Sequence, residues 1–295
     1  MDPYVITCCS TADMPREFFE SRNIPFACFH FSMNGREYAD DLGRSLPADA
    51  FYQAIRQGAL PATSQVNVQE YEELFEPILK SGRDVLHLEL SSGISGSIGS
   101  ARLAAGQLME RYPGRRIVVF DSLAASSGYG LLTEAAWEKQ REGLSLDALS
   151  HWLSDNRLRL HHWFFSSDLT HFRRGGRISA PSAFFGNMLN ICPLMNVNSL
   201  GKLIPREKIR GKKRVIRRLA EQMALHAQDG RAYSGRCLIS HSDCLQDAQA
   251  VAALVEEAFP RIQGGVQINP IGAVIGSHTG PGTVALFFWG DPRTV

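Results

Sequence analysis

The chain has 295 residues, of which 31 are Lys or Arg and 30 are Asp or Glu, so its net charge is +1, and 44% of the residues are hydrophobic. This balance excludes a disordered chain and excludes general electrostatic attraction to nucleic acid or membranes, while leaving room for a local charged patch. A length near 300 residues usually divides into about two domains, so we expect two packed domains.

Short apolar runs alternate with longer amphipathic stretches through the first half of the chain. The runs rich in β-branched and aromatic residues are predicted strands, at residues 4–7, 26–31, 85–90 and 117–120. Asp13 before Pro15 and Ser45 before Pro47 indicate helix starts. The alternation predicts an α/β domain around a parallel sheet.

The clearest helix start is at Asn67, which Glu70 follows three residues later as a variant of the capping box. Apolar residues then recur at the spacing of one buried helix face, at Tyr71, Leu74, Phe75 and Ile78. We therefore predict an amphipathic helix that packs against the sheet.

The pattern changes near residue 160. The predicted elements around and beyond this point are helices at 126–141 and 146–157, strands at 163–166, 236–241 and 266–268, and helices at 212–228 and 245–259. We expect the α/β domain at residues 1–160 and an α+β domain at residues 161–295. A final strand at residues 283–289 fits either sheet.

Six cysteines without a C-x-x-C pair favour a reducing compartment, because a chain of this size buries a core without disulfides. The first residues lack a basic region followed by an apolar run, and no stretch approaches the roughly 18 apolar residues of a membrane helix. We expect a cytoplasmic protein. No metal-ligand spacing stands out, so neither a metal nor a cofactor is expected.

The serine and glycine turn at residues 91–97 is the segment most informative about chemistry. It follows a predicted strand and precedes a helical stretch at residues 98–112, so unpaired amides and the positive end of the helix dipole converge there. The hydroxyls of Ser92, Ser95 and Ser97 would add donors to this predicted anion site.

The order of residues in this turn tests two more specific interpretations, a phosphate-binding loop for a mononucleotide and a serine nucleophile. A Walker-type loop needs a Lys that does not follow here, and Ser97 stands where the nucleophile elbow needs glycine. A mononucleotide loop is thus excluded and a covalent serine enzyme is disfavoured. The interpretation that Ser91 and Ser92 only cap the following helix stays open.

Three further polar segments have both a binding and a structural interpretation. Residues 61–65 form a polar turn before a helix, and residues 275–283 form a Gly/Pro-rich loop with one His, a residue that is more often structural than catalytic in such a loop. Residues 168–177 place three arginines around two glycines, which suits a clamp for a carboxylate or phosphate as well as a solvated turn.

Charge is segregated along the chain. Residues 202–218, called the basic segment below, hold nine Lys or Arg and one acid, Glu207, and carry +8, whereas 22 basic and 29 acidic residues elsewhere give −7. Such a run is usually a solvated face, but its contrast with the rest favours a docking surface for an acidic partner. A nucleic-acid patch is a weaker interpretation.

Taken together, these segments resemble the DegV family of bacterial fatty-acid-binding proteins. The matches, in the family's order over nearly the whole chain, are Ala62-Thr63-Ser64-Gln65, Ser91-Ser92-Gly93-Ile94-Ser95-Gly96-Ser97, Asp121-Ser122, Leu169 with Gly175-Gly176-Arg177, Pro193-Leu194 with Gly201-Lys202, and Gly276-Ser277-His278-Thr279-Gly280-Pro281-Gly282. One position departs from the pattern, because Cys9 stands where the family usually has the Asp of Asp-Ser-Thr or Asp-Ser-Ser.

The resemblance implies an α/β and an α+β domain with one long-chain fatty acid, such as palmitate, in a tunnel between them. The carboxylate would meet the hydroxyls of Thr63 and Ser95, backed by a network that includes Arg177 and His278. The rest of the expected ligand-binding set is Ser64, Ser92 and Gly96.

The resemblance also implies a partner, the catalytic subunit of a two-component fatty acid kinase, which would convert the presented carboxylate to an acyl phosphate. The partner would supply the nucleotide chemistry, so this chain is expected to be a carrier without catalytic residues. Arg210 is the expected docking residue, because family members carry a basic residue there. No nucleic acid and at most transient contact with a membrane surface are expected.

An acyl tail needs an apolar lining, and a mostly apolar stretch supplies Phe184, Phe185, Met188, Leu189, Ile191 and Met195. Burial at about 0.8 kcal/mol per methylene gives a C16 chain roughly 12 kcal/mol before binding costs. The same stretch also fits plain core. A rival from another class is an acyl-transfer or hydrolytic enzyme that uses Ser95 with His278, or a reactive Cys8 or Cys9.

Overall fold

A computed structural model of the chain describes residues 4–178 and 190–295. Its strands are β1 (Tyr4–Cys9), β2 (Phe26–Ala27), β3 (His30–Met33), β4 (Arg36–Ala39), β5 (Ala62–Ser64), β6 (Asp84–Glu89), β7 (Ile117–Asp121), β8 (Leu160–Ser166), β9 (Ile191–Val197), β10 (Leu203–Arg210), β11 (Cys237–His241), β12 (Val266–Pro270) and β13 (Thr283–Trp289). Its helices are α1 (Arg16–Arg22), α2 (Ala48–Arg56), α3 (Val68–Lys80), α4 (Ser97–Arg111), α5 (Ser126–Arg141), α6 (Leu146–Asn156), α7 (Thr170–Gly175), α8 (Lys212–His226), α9 (Leu245–Ala258) and α10 (Ala273–Thr279).

A parallel sheet of order β2, β1, β6, β7 confirms the predicted α/β half. Every residue of β6 is buried, as expected for a central parallel strand covered on both faces. Val85 of β6 pairs with Val5 of β1 and with Ile117 of β7. The carboxyl ends of β1 and β6 therefore lie side by side, just below the turn at residues 91–97.

A small antiparallel sheet of order β4, β3, β5 corrects the predicted strand at residues 26–31. That run is divided, because β2 joins the parallel sheet whereas β3 pairs with β4 and β5. Between them the amide of Phe29 donates to the Ser10 hydroxyl at 3.2 Å. Phe31 of β3 pairs with Thr63 of β5, so this sheet positions the polar turn that contains Thr63.

The second half forms a mixed six-stranded sheet of order β10, β9, β8, β13, β11, β12. The final strand, which the sequence assigns to either sheet, lies at the centre of this one, where β13 pairs with β8 and β11. The sequence-based prediction lacks β9 and β10, because Pro193 and Pro205 weaken the strand signal and β10 alternates with cations.

The two faces of the six-stranded sheet have different partners. Phe165 of β8, together with Leu286 and Phe288 of β13, belongs to a core packed under α8 and α9. Their neighbours Phe164 and Phe287 point to the other face and join the larger core of the parallel-sheet half. One apolar layer therefore connects the two halves of the chain.

The segment predicted as a Gly/Pro-rich loop at residues 275–283 is mostly helical, because α10 extends to Thr279. The carboxylate of Asp40 accepts the amides of Ala273 and Val274 in the first turn of this helix. A buried acceptor thus satisfies amides that a helix start leaves unpaired, which stabilises the helix although its sequence is rich in small residues.

Candidate functional site

A cavity of about 410 Å³ lies between the two halves of the chain. Its wall is mostly apolar and includes Leu90, Ile94, Phe164, Phe172, Val274 and Phe287. Of the predicted tail-binding stretch, Phe184, Phe185, Met188 and Leu189 lie outside the described residues, and Met195 is fully buried in β9. Within the described residues, the apolar lining comes from several strands and helices, and the contribution of residues 184–189 stays a prediction.

Thr63 and His278 meet at one end of the cavity. The Thr63 hydroxyl and His278 Nε2 are 2.8 Å apart, which joins β5 to α10 across 215 residues of sequence. Burial, reinforced by nearby arginines, lowers the pKa of His278 to about 4, so the imidazole is neutral at pH 7. His278 Nδ1 has no hydrogen-bond partner in the described part of the chain and packs against Gly175.

Ser95 lies in the turn that leads from β6 into α4, and it lines the same cavity. Its hydroxyl oxygen accepts the Ser97 amide at 3.2 Å, and its proton is donated to the Ser97 hydroxyl at 3.0 Å. Gly96 is the N-cap of α4 and also lines the cavity. A polar turn does begin a helix at the cavity, but the amides of Ile94, Ser95 and Ser97 already have acceptors within the turn. The predicted convergence of unpaired amides is therefore not found there.

Ser91 and Ser92 do not cap α4. Their hydroxyls instead bond to groups outside the turn at residues 91–97. The Ser91 hydroxyl donates to the Gly201 carbonyl at 2.8 Å, and the Ser92 hydroxyl donates to Asp121 at 2.5 Å. Among the predicted ligand-binding residues, Ser92 is the one that the structure does not bring to the cavity wall.

Arg177 and its neighbours bridge the two polar turns. Arg177 lines the cavity and donates to the carbonyl of Ile94 at 3.4 Å, while Arg174 donates to the carbonyl of Pro61 at 3.0 Å. Ser64, next to Thr63, also lines the cavity and is exposed. The polar end therefore combines hydroxyls, a neutral imidazole and a guanidinium at the protein surface.

The residues of the rival enzyme hypothesis are not arranged for nucleophilic catalysis. In the described residues, His278 pairs with Thr63, whereas the Ser95 proton goes to Ser97. Cys8 and Cys9 are completely buried, and burial raises the pKa of both thiols. A nucleophile needs an adjacent base or a lowered pKa, so this alternative is not supported.

Glu89 is a buried residue near the site that the sequence analysis does not single out. Its Oε1 accepts the Ser97 hydroxyl at 2.8 Å, and Ser97 in turn accepts from Ser95. The available signal is a single acidic residue inside the apolar run at residues 85–90. Glu89 therefore anchors the hydroxyl chain that ends at the cavity.

The basic segment begins beside the polar end of the cavity. A Cβ at Gly93 would lie 2.5 Å from the carbonyl oxygen of Gly201, so the turn at residues 91–97 touches the start of the basic segment. On β10, the exposed residues alternate and are Arg206, Lys208 and Arg210. Lys212 and Lys213 follow in the first turn of α8.

These features define an α/β protein with an interior, mostly apolar cavity that ends at a cluster of hydroxyl, imidazole and guanidinium groups. The chain belongs to the DegV family, described as "Uncharacterised protein, DegV family", which matches residues 4–291. No helix within residues 4–178 and 190–295 is long and apolar enough to cross a membrane.

Relatives and solved structures agree with this assignment. A DegV domain-containing protein of Clostridium perfringens is 36% identical over 293 residues, or 99% of each chain. A structure described as fatty acid binding of a DegV family protein from Thermus thermophilus has a TM-score of 0.86 at 28% identity, and covers 98% of this chain and 100% of that one. A fatty acid binding DegV family protein from Streptococcus agalactiae has a TM-score of 0.85 at 27% identity, covering 99% and 100%.

Proposed function

We propose that this protein binds one long-chain fatty acid, with the carboxylate at Thr63, Ser95, Arg177 and His278 and the acyl chain in the cavity. The observation that carries the proposal is the apolar cavity of about 410 Å³ with these polar groups at one end. The volume lies in the range of roughly 300–1,000 Å³ typical of small-molecule sites. Fatty acid binding by the Thermus and Streptococcus proteins supports the same ligand class.

The acyl chain supplies most of the binding energy in this proposal. A C16 chain buried at about 0.8 kcal/mol per methylene gains roughly 12 kcal/mol before the costs of association. Each hydrogen bond contributes only about 1 kcal/mol net, so the hydroxyls and Arg177 orient the head group and add little to the affinity. Several chain lengths are therefore expected to bind with the same head-group placement.

Variants at the polar end test this placement. In this proposal the Thr63 and Ser95 hydroxyls turn from His278 and Ser97 to the carboxylate when the ligand binds. Replacing both with Ala should therefore lower palmitate affinity by about tenfold to a hundredfold. Ser92→Ala is the matched control, because that hydroxyl is held by Asp121 outside the cavity. Titration of delipidated protein with palmitate measures both, and equal affinities for wild type and the double variant would remove Thr63 and Ser95 from the site.

We further propose that the polar end and the basic segment together form the surface offered to a kinase that phosphorylates the bound carboxylate. In the first turn of α8, Lys212 pairs with Asp247 at 2.9 Å, whereas the exposed Lys213 opposes the helix dipole, which favours a functional reason for Lys213. The exposed Leu200, at the contact with Gly93, adds an apolar element at the opposite end of β10 from these cations. A partner of acidic surface fits this composition.

Arg210 tests the docking proposal. Arg210→Glu should slow kinase-dependent phosphorylation of the bound acid while leaving fatty acid affinity intact, because it reverses one charge outside the cavity. Arg261→Glu, an exposed change outside the basic segment, is the charge-matched control. The docking proposal fails if both variants are phosphorylated at the wild-type rate.

The proposal makes the chain a carrier that works in the cytoplasm rather than an enzyme. All six cysteines are free thiols in the structure, as suits a reducing compartment. The partner kinase supplies the nucleotide chemistry, and contact with a membrane surface, if made, is a transient step in loading. Phosphonylation of Ser95 by a fluorophosphonate, with loss of fluoride, would contradict this assignment.

A further inference from the structure

Four side chains meet in the core at the carboxyl ends of β1 and β6. Cys9 ends β1, His87 and Glu89 lie on β6, and Tyr71 approaches from α3. All four are fully buried, with 0% of each residue exposed. In an open α/β sheet this edge is where ligands bind, and the cavity does not use these groups directly.

The spacing of the donor atoms resembles a metal coordination shell. Cys9 Sγ lies 3.5 Å from Glu89 Oε2 and 3.7 Å from His87 Nε2, and the last two atoms are 3.0 Å apart. Tetrahedral zinc bonds of about 2.3 Å to sulfur and about 2.0 Å to nitrogen and oxygen place such atoms roughly 3.3–3.6 Å apart. The three atoms therefore surround a point at bonding distance from each.

The charges of the cluster also favour a cation. Glu89 accepts hydrogen bonds from the Tyr71 and Ser97 hydroxyls, the Cys9 thiol and the Leu90 amide, which are all neutral. The group paired with it that can carry a positive charge is His87, whose Nε2 lies 3.0 Å from Glu89 Oε2 and which would be neutral as a metal ligand. A buried carboxylate without a counter-charge is costly.

Groups behind the ligands hold them in place. His87 Nδ1 is 2.9 Å from the Thr7 hydroxyl, so Thr7 can accept an Nδ1 proton once Nε2 gives up its hydrogen bond to Glu89 and binds the ion. Glu89 Oε1 is occupied by Ser97 and by the Leu90 amide, which leaves Oε2 for the cluster. Such outer hydrogen bonds are a regular feature of protein metal sites.

We propose that Cys9 Sγ, His87 Nε2 and Glu89 Oε2 bind one Zn²⁺ ion, with the Tyr71 hydroxyl next to the fourth position. Sulfur with nitrogen and oxygen suits zinc and disfavours magnesium and calcium. On binding, the Cys9 thiol loses its proton to solvent and His87 takes the neutral form protonated at Nδ1. Bonds to zinc then replace the contacts among Cys9, His87 and Glu89. The thiolate and the carboxylate then balance the two positive charges of the ion.

A second cluster of possible ligands, His161, His226 and Asp291, carries no such proposal. The two imidazole rings are stacked, with centroids 4.9 Å apart and planes 19° from parallel. Imidazole lone pairs lie in the ring plane, so nearly parallel stacked rings do not direct them to one ion. This cluster instead provides a hydrogen-bonded contact between the end of α8 and the residues after β13.

The test uses the full chain, unfolded with a chelator and refolded with one equivalent of ZnCl₂ or CoCl₂, because the cluster is sealed from solvent. We expect one tightly held metal per chain, and, for Co²⁺, intense tetrahedral visible bands with a sulfur-to-cobalt charge-transfer band. Wild-type protein that refolds without retaining either metal would overturn the proposal and leave a hydrogen-bonded network of Cys9, Tyr71, His87 and Glu89.

Cysteine variants identify the ligand. Cys9→Ser should abolish the charge-transfer band and weaken zinc retention by at least about tenfold. Cys8→Ser is the matched control, since Cys8 is equally buried but faces the other side of β1. A charge-transfer band that persists in Cys9→Ser, or that is lost only in Cys8→Ser, contradicts the assignment. The wild-type cobalt spectrum tests the proposal even if a variant fails to fold. No fatty acid is added in these experiments, so their outcome does not depend on the proposed fatty acid binding.

Discussion

At the scale of single residues, close backbone contacts place the polar turn at the cavity. Gly93 touches the carbonyl of Gly201, and the Ser91 hydroxyl holds the same carbonyl. The sequence offers Gly93 only as part of a motif, because the packing partner lies more than 100 residues away. Cys9 is similar: the departure from the family is visible in sequence, but its contacts with Glu89 and His87 are not.

Gly93→Ala tests this packing. The added Cβ would lie 2.5 Å from a backbone oxygen that cannot rotate away, so we expect a loss of about 1–3 kcal/mol in the free energy of unfolding. Gly99→Ala in α4 is the matched change, because nothing lies within 4 Å of its added Cβ, and it should stabilise by about 0.5–1 kcal/mol. Equal stabilities in denaturant titrations would contradict the packing argument.

At the scale of elements, local signals predict helices better than strands. The capping box at Asn67 and Glu70 is present in α3, because both of its hydrogen bonds lie within four residues. The run at residues 26–31 instead divides between two sheets, since the partner strands and not the run itself decide the pairing. α10 is likewise not predicted, because its start depends on a distant carboxylate, Asp40.

The pH dependence of α10 follows from Asp40. Burial raises its pKa to about 6 from an ordinary value of 3.8, so between these values the folded chain binds a proton that the unfolded chain lacks. The contribution of Asp40 to stability therefore grows as the pH falls from 7 to 5, by about 1 kcal/mol.

Asp40→Asn isolates this effect, because the amide oxygen still accepts the two helix amides while its charge no longer changes. The stability of the variant relative to wild type should become more favourable as the pH rises from 5 to 7, measured by denaturant titration at each pH. The comparison cancels groups that do not interact with Asp40, such as His278, whose lowered pKa acts in the opposite direction. Asp13 is not cancelled, because the Asp40 charge helps to raise its pKa. If the stability difference between the variant and wild type does not change with pH, Asp40 does not contribute to the pH dependence of stability.

At the scale of the whole molecule, Arg293 joins the two halves near the carboxyl terminus. Its buried guanidinium donates to the carbonyls of Val197 and Asn198 on one side and of Leu123 and Arg157 on the other. Burial lowers its pKa to about 9, which still leaves it charged at pH 7. One side chain thereby satisfies backbone acceptors from β9 and from the end of the parallel-sheet half.

Arg293→Met should destabilise the protein by about 3 kcal/mol or more, because it leaves several buried carbonyls without a donor. Arg261→Met, at an exposed site, should change stability by less than about 0.5 kcal/mol. Thermal unfolding followed by circular dichroism compares the two. Similar melting temperatures for both variants would show that Arg293 does not hold the halves together.

The α/β first half and the mixed second half can be predicted from the sequence pattern. The candidate site cannot be predicted from the spacing of its residues along the chain. Thr63 and His278 are 215 positions apart and touch only because the small sheet and α10 fold onto each other. Only the resemblance to a family connects such positions before a structure is seen. The cavity walls are scattered still more widely, since alternate residues of β8 and β13 line it.

The most direct measurement of the central claim is the native mass spectrum of the purified protein, before and after removal of lipid and addition of palmitate or oleate. The account predicts one fatty acid per chain, removed by extraction and restored at a stoichiometry of one. A spectrum with no lipid adduct in the purified protein and no uptake of either acid would contradict it.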